Sequence, residues 1–284
     1  MAMETNASLR SAAIVVEQSD ARVGGAFDFD KTEVYYGFDE NNIAVNGEPI
    51  SVLGLRQTIA FPTVYFADKS ARKTESDVAR QQLELERMRL LQAVGRVYVD
   101  LQIDRARINI LNLMDSIYAN FSRMAERRFE LGETNFLEKA TSSAKQQQVR
   151  LALEEALQKE RSSLIAIAAL VQAEDSLVIE TVEPERLMPV LRADTLAPQF
   201  RLFEEQESFA NLQWQLEKQR LLPDISFEYF WGSNSSLSGT LNVYSVGLGV
   251  PLLFIGQSSR IKASRLAVDV TQQRKNDLLE RYRS

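Results

Sequence analysis

The spacing of hydrophobic residues alternates between a helical and a strand-like pattern along the chain. An amphipathic helix is predicted over residues 4–23, ending at the pair Gly24-Gly25. Two stretches with alternating apolar residues follow at 27–38 and 51–61, separated by a run rich in Asp, Asn, Gly and Pro. This order predicts a β-hairpin with a polar tip over residues 27–61.

A long helix is predicted next, over residues 64–129. The segment has no proline and one interior glycine, Gly95, and at ~1.5 Å per residue it would be on the order of 100 Å long. A seven-residue register predicts one packing seam, and a second apolar stripe predicts a neighbour on another side. The seam comprises Leu83, Leu90, Val94, Val97, Leu101, Ile108, Leu111, Tyr118, Ala125 and Phe129. The second stripe comprises Ile103, Ala106, Ile110, Leu113, Ile117, Phe121 and Met124.

The chain reverses over residues 129–135 and continues as a second long helix to residue 173. Gly132 suits a left-handed helix stop, and Asn135 with Glu138 suits the cap of the next helix. The sequence therefore predicts a helical hairpin over 64–173, and a proline-containing connecting region over 175–198.

The remaining chain repeats the first pattern of helix, strand, strand and helix. It predicts a helix over 195–221, strands at 224–231 and 241–250, and a helix from 257 to the end. We group the elements into three regions. These are 1–174 (first helix, hairpin 27–61 and helical hairpin 64–173), 175–198 (connection) and 199–284 (helix, hairpin 224–250 and final helix). An offset of 193 residues aligns Gly54 with Gly247 and Arg72 with Arg265, which suggests an internal duplication.

The predicted strands have one apolar and one polar face. Membrane strands of barrels are about 9–11 residues long with this alternation and carry aromatic girdles. We therefore predict a lipid-facing set, and the alternative is a half-buried sheet in a soluble protein. The predicted set is Tyr36, Phe227, Tyr229, Trp231, Tyr244 and Val246. Four strands cannot close a barrel, whereas three copies would supply twelve.

Composition argues against most enzymatic chemistry and against nucleic acid as a binding partner. The chain has no His and no Cys, so disulfides, thiolate metal sites and His-based or Cys-based catalysis are excluded. Its net charge is -6 with both signs interspersed, whereas binding to a phosphate backbone requires a basic surface. Asp104 and Asp115 interrupt the helical seam, and as an enzyme's carboxylate pair they would be more than two helical turns apart. We predict no catalytic residue, no cofactor and no metal, and we interpret the two aspartates as pore-lining or seam residues.

The order of elements resembles the outer-membrane efflux protein (TolC-like) family. The resemblance rests on the hairpin turn Arg128-Phe129-Glu130-Leu131-Gly132 and on the strand–helix passages at 220–225 and 246–252. It implies a mainly α fold with β-hairpins, in which long coiled-coil helices form an α-barrel and each protomer adds four strands to a trimeric 12-stranded β-barrel. Residues 61–66 are similar to the heavy-metal branch of the family.

The resemblance also implies a function and partners. It implies a homotrimeric channel in the bacterial outer membrane that extends into the periplasm and meets a periplasmic adaptor and an inner-membrane RND-type pump. Arg128, Leu131, Gly132 and Glu133 would form the adaptor-docking tip. Family members carry further helices at both ends, so a truncated chain is expected. The alternative is a periplasmic adaptor-like coiled-coil scaffold.

Overall fold

Long helices and one antiparallel sheet make up the chain in the computed structural model. The structure describes residues 5–40, 48–172, 179–180, 198–234, 239–251 and 254–283. Its helices are α1 (Ala7–Gly24), α2 (Pro62–Glu130), α3 (Phe136–Val171), α4 (Pro198–Gln219) and α5 (Ile255–Arg283). Its strands are β1 (Glu33–Asp39), β2 (Ile50–Ile59), β3 (Asp224–Asn234) and β4 (Leu241–Gly249). The predicted mainly α fold with two β-hairpins is confirmed. Among the helices in the described ranges, none contains an apolar segment that could span a bilayer.

The first strand begins later than the sequence predicts, at Glu33 instead of residue 27. Gly25–Phe27 forms a 3-10 turn. The rings of Phe27 and Phe29 lie 6.2 and 5.1 Å from the ring of Tyr65, in the first turn of α2. The alternation of apolar residues here therefore reflects packing against a helix, and the prediction of a strand over 27–32 was wrong.

The chain divides into two compact units that do not follow the order of the chain. One unit comprises Met1–Ala12 with Glu84–Ala193, and the other comprises Ala13–Leu83 with Asp194–Ser284. The sequence grouping, by contrast, cut the chain at 174 and 198. Most of the predicted connecting region, 175–198, lies outside the described residues.

In the first unit, α2 and α3 form an antiparallel hairpin along the predicted seam. Leu101 is fully buried against Ile167 and Val171. Further along the hairpin, Ile108 and Leu111 pack with residues of α3 in a second cluster. The seven-residue register therefore identified the buried side of α2 correctly.

The start of α1 lies against the end of α3 in the same unit. The Asn6 side-chain oxygen accepts hydrogen bonds from the amides of Ser8 (2.9 Å) and Leu9 (3.2 Å). Its amide nitrogen donates to the carbonyl of Leu170 at 2.9 Å. One side chain thus provides hydrogen-bond partners for backbone groups that have none within their own helix, both at the N-terminus of α1 and at the C-terminus of α3.

In the second unit, polar contacts join α1 to the first part of α2. The carboxylate of Asp20 accepts a hydrogen bond from the hydroxyl of Ser76 and lies 2.6 Å from the guanidinium of Arg80. These contacts lower the pKa of Asp20, the Ser76 hydrogen bond contributing most. Because the folded state favours the ionised form, the contacts persist at neutral pH and are lost as the pH falls through that lowered pKa.

The four strands form one sheet in the order β1-β2-β3-β4, with every pair antiparallel. The aligned glycines of the suggested duplication have the same role in it. A Cβ at Gly54 would lie 2.1 Å from the ring of Tyr35, and a Cβ at Gly247 would lie 2.5 Å from the Ser226 hydroxyl. Each glycine thus leaves room for a side chain from the partner strand of its own hairpin, which supports the duplication.

Candidate functional site

One face of the sheet is apolar and exposed. The strand register pairs Tyr36 with Leu53 and Leu53 with Trp231. It also pairs Tyr229 with Tyr244. Phe227 lies opposite Val246 in the same register. Alternation along each strand therefore puts all six residues of the predicted lipid-facing set on one face.

The exposure of this apolar face is high for such large side chains. Tyr36 is 68% exposed, Tyr244 70% and Val246 72%. The register adds further exposed members that the sequence analysis did not name: Val34, Phe38, Leu53, Leu55 and Leu248. The sequence contained the information to predict them, because they continue the same alternation of apolar residues along their strands.

The opposite face of the sheet carries a row of polar side chains, one from each strand. Register positions Glu33, Arg56, Glu228 and Ser245 are adjacent in order across the sheet. Arg56 lies 3.3 Å from Glu33 and 2.9 Å from Glu228, and the hydroxyl of Ser245 donates to Glu228 at 3.2 Å. Sequence reasoning missed this polar row because it depends on which strands pair.

The two outer strands of the sheet are β1 and β4. Among the described residues each pairs with a single neighbour, β2 and β3 respectively. An outer strand presents unpaired backbone groups that can pair with a further strand. The sheet is thus able to continue at both edges.

The turn between α2 and α3 has the predicted local geometry. Gly132 adopts a left-handed conformation with φ 74°, and the amide of Glu133 donates to the carbonyl of Arg128 at 2.9 Å. The Asn135 side chain caps α3 by accepting from the amide of Glu138 at 2.9 Å. The predicted glycine stop and asparagine cap are both confirmed.

The surface of this turn includes exposed apolar side chains beside charged ones. Leu131, which the sequence analysis assigned to a docking tip, is 64% exposed. Phe136 and Leu137 were missed, and they are 69% and 73% exposed. Arg128, in contrast, lies 3.3 Å from Glu138 in an ion pair of its own chain. The cap at Asn135 holds Phe136 and Leu137 in the first turn of α3, where the ring of Phe136 lies 6.1 Å from the ring of Phe129.

Asp104 and Asp115 do not come together. Asp115 lies 3.3 Å from Arg150 on α3, whereas Asp104 lines a shallow groove with Asp100 and Lys159. The two carboxylates thus have separate surroundings and do not form a catalytic pair. No group of three or more His, Cys, Asp or Glu side chains that could hold a metal occurs in the described ranges.

The second apolar stripe of α2 is exposed. Ile110 is 60% exposed, Leu113 64%, Ile117 56% and Met124 64%. On α3, Leu151 and Ile165 are also exposed, at 60% and 64%. The helical hairpin therefore buries one side of α2 against α3 and leaves a second apolar side uncovered.

Solved structures share this fold. CusC, described in connection with transmembrane channel formation, matches with a TM-score of 0.76 at 16% identity, over 97% of this chain and 71% of that one. VceC, an outer membrane protein of Vibrio cholerae, matches with a TM-score of 0.77 at 14% identity, over 99% of this chain and 74% of that one. The CmeC outer membrane channel of Campylobacter jejuni matches with a TM-score of 0.73 at 17% identity, over 98% of this chain and 66% of that one.

No protein-family model matches the sequence, and neither does any curated protein sequence. At identities this low the structural likeness establishes the fold. The chain has the fold of TolC-like outer-membrane channels, as the order of its elements predicts.

Proposed function

We propose that the chain is the protomer of a homotrimeric outer-membrane channel, a passive conduit in a tripartite efflux system. The observation that carries the proposal is the two-faced sheet. One face exposes Tyr36, Tyr244 and Val246 to the surroundings, and the other face carries the polar row through Arg56 and Glu228. In water such an apolar surface is costly, whereas in a bilayer it is the required outer surface of a barrel wall.

The two edges of the sheet support a trimer. An unpaired strand edge within a bilayer leaves backbone groups without hydrogen bonds, which costs several kcal/mol per group. Four strands are too few to close, and three copies give the twelve strands of a closed barrel. β1 and β4 run in opposite directions because every pair in the sheet is antiparallel, so β4 of one copy can join β1 of the next without breaking that pattern.

The uncovered stripe on α2 supports the same assembly. In a ring of helices each helix needs one neighbour on either side. The seam around Leu101 faces α3 of the same copy, and we propose that the stripe around Ile110 and Ile117 faces a helix of another copy. Such a ring of helices would enclose a passage in the periplasm.

The matched structures favour a channel over the alternative of an adaptor-like scaffold. Two of the three are described as outer membrane proteins or channels, and the third in connection with a transmembrane channel. A passive conduit also requires no catalytic group, in keeping with a chain that has neither His nor Cys.

The direct test of this function is conductance. We expect the protein purified in detergent to insert into planar phosphatidylcholine bilayers and to produce uniform, stepwise increases in current. Heat-denatured protein is the control. Soluble behaviour, with no current at any protein concentration, would refute the channel.

We propose further that the α2–α3 turn docks on a periplasmic adaptor that is coupled to an inner-membrane pump. Leu131, Phe136 and Leu137 provide exposed apolar contacts there, and Gly132 and Glu133 shape the turn. Arg128 pairs with Glu138, so we assign it to holding the turn and not to direct binding.

Charge at this tip should separate docking from channel formation. We expect Leu137→Glu to abolish export in cells, because a carboxylate would be buried unpaired in the docking contact. The tolerance of the cells to the exported substrate should fall by at least about tenfold. Conductance in planar bilayers should be unchanged. Gln148→Glu, further along α3, is the control. Export by Leu137→Glu equal to that of the wild type would contradict docking at this tip.

A further inference from the structure

The polar row on the sheet spans the protomer from one edge strand to the other. Its members are Glu33 on β1, Arg56 on β2, Glu228 on β3 and Ser245 on β4, and each contacts the next. The row occupies the face opposite the exposed apolar side chains. The row therefore holds three charged groups and one hydroxyl in fixed order across the four strands.

Glu228 is held in place by hydrogen bonds from three neighbouring side chains. Its carboxylate accepts hydrogen bonds from the hydroxyl of Tyr35 at 2.6 Å, from Arg56 at 2.9 Å and from the hydroxyl of Ser245 at 3.2 Å. Three donors on three different strands hold one carboxylate in place. The ring of Tyr35 reaches it across Gly54, where no larger residue would fit.

The row carries a net negative charge. It contains two carboxylates and one guanidinium, so each copy has one negative charge in excess. The side chains of Glu33 and Arg56 are 60% and 46% exposed, whereas that of Glu228 is 22% exposed. The outermost charge, Glu33, thus remains open to solvent and available to mobile ions.

We propose that this row is a charge filter in the wall of the conduit and that it makes the channel prefer cations. The inference rests on the proposed function: if the apolar face contacts lipid, the polar face lines the water-filled passage. Three copies would repeat the row around the passage and place three excess negative charges in it. Fixed charges act on mobile ions within about 10 Å at 0.1 M salt, and rings of acidic side chains select cations in other channels.

Opposite changes of charge at two neighbouring residues test the filter. The measurement is the reversal potential in planar phosphatidylcholine bilayers under a gradient of dilute KCl, which gives the ratio of cation to anion permeability. We expect Glu33→Gln to lower this ratio towards one, because it removes the excess charge. We expect Arg56→Gln to raise it by about twofold or more, because it doubles that charge. Glu228 retains the donors Tyr35 and Ser245 in both variants.

Ser245→Ala is the matched control, because it removes a hydrogen bond of the same row without changing its charge. A purely structural role predicts similar effects of both charge variants, so shifts in the same direction or no shift would overturn the filter. If Arg56→Gln does not assemble, Glu33→Lys at the exposed edge should invert the preference to anions. If the charge variants conduct with the selectivity of the wild type, the filter is refuted and the channel is not. If the wild type itself does not conduct, both the proposed channel and the filter are refuted.

Discussion

Val246→Arg abolishes recovery of assembled protein from the outer membrane, whereas Ser245→Arg does not: this is the largest asymmetry that we expect. Both residues lie on β4 and both are exposed, but they point to opposite faces. An Arg on the lipid face of a barrel costs about 2–4 kcal/mol at the bilayer midplane, and every copy in the assembly would bear it. An Arg at position 245 would instead face water and lie near Glu228.

The measurement is the amount of each variant in the outer-membrane fraction, relative to total expressed protein. On the surface of a soluble protein a substitution away from special features changes stability by only about ±0.5 kcal/mol. The soluble-sheet interpretation therefore predicts equal recovery of the two variants. Equal recovery would contradict the assignment of Val246, Tyr244 and their face to lipid.

Ile117→Asp should prevent assembly, whereas Ser116→Asp should permit it. The two residues are adjacent on α2 and both exposed in the protomer, but only Ile117 belongs to the second apolar stripe. In an assembled ring of helices the new carboxylate at 117 would be buried without a partner, which costs on the order of 3–5 kcal/mol.

Ser116→Asp is the control for the intrinsic cost of aspartate in a helix, because both variants contain the same new residue in the same turn. The measurement is the ratio of trimer to monomer in detergent extracts by native mass spectrometry. If both variants assembled as well as the wild type, the stripe would not be an interface between copies.

Local sequence chemistry was sufficient for the turn and for the faces of the strands. Gly132 and Asn135 were predicted because a left-handed stop and a side-chain cap depend on single residues and their immediate neighbours. The six apolar-face residues were predicted because strand alternation assigns a face without any knowledge of which strands pair.

Contacts between distant segments could not be predicted in the same way. Arg56 and Glu228 are 172 residues apart, and their ion pair follows from the pairing of β2 with β3, which joins the two hairpins into one sheet. The sequence suggested a duplicated unit but did not specify that pairing. The polar row, on which the charge filter depends, was for that reason found only in the structure.

Apolar alternation also has more than one physical cause, which explains the misplaced start of β1. Phe27 and Phe29 alternate with aspartates as strand residues would, but their rings pack against Tyr65 at the start of α2. Phe136 and Leu137 were missed for a related reason. Two consecutive apolar residues after a cap do not follow the seven-residue register, so the periodic analysis gave them no partner.

The most direct test of the account is the mass of the protein extracted from membranes in mild detergent. The chain has a mass of 32.2 kDa, and we predict a detergent-corrected mass three times this value, because the proposed trimer supplies twelve strands and covers the stripe on α2. A mass equal to that of a single chain, in protein that remains folded, would contradict both the shared barrel and the shared ring of helices.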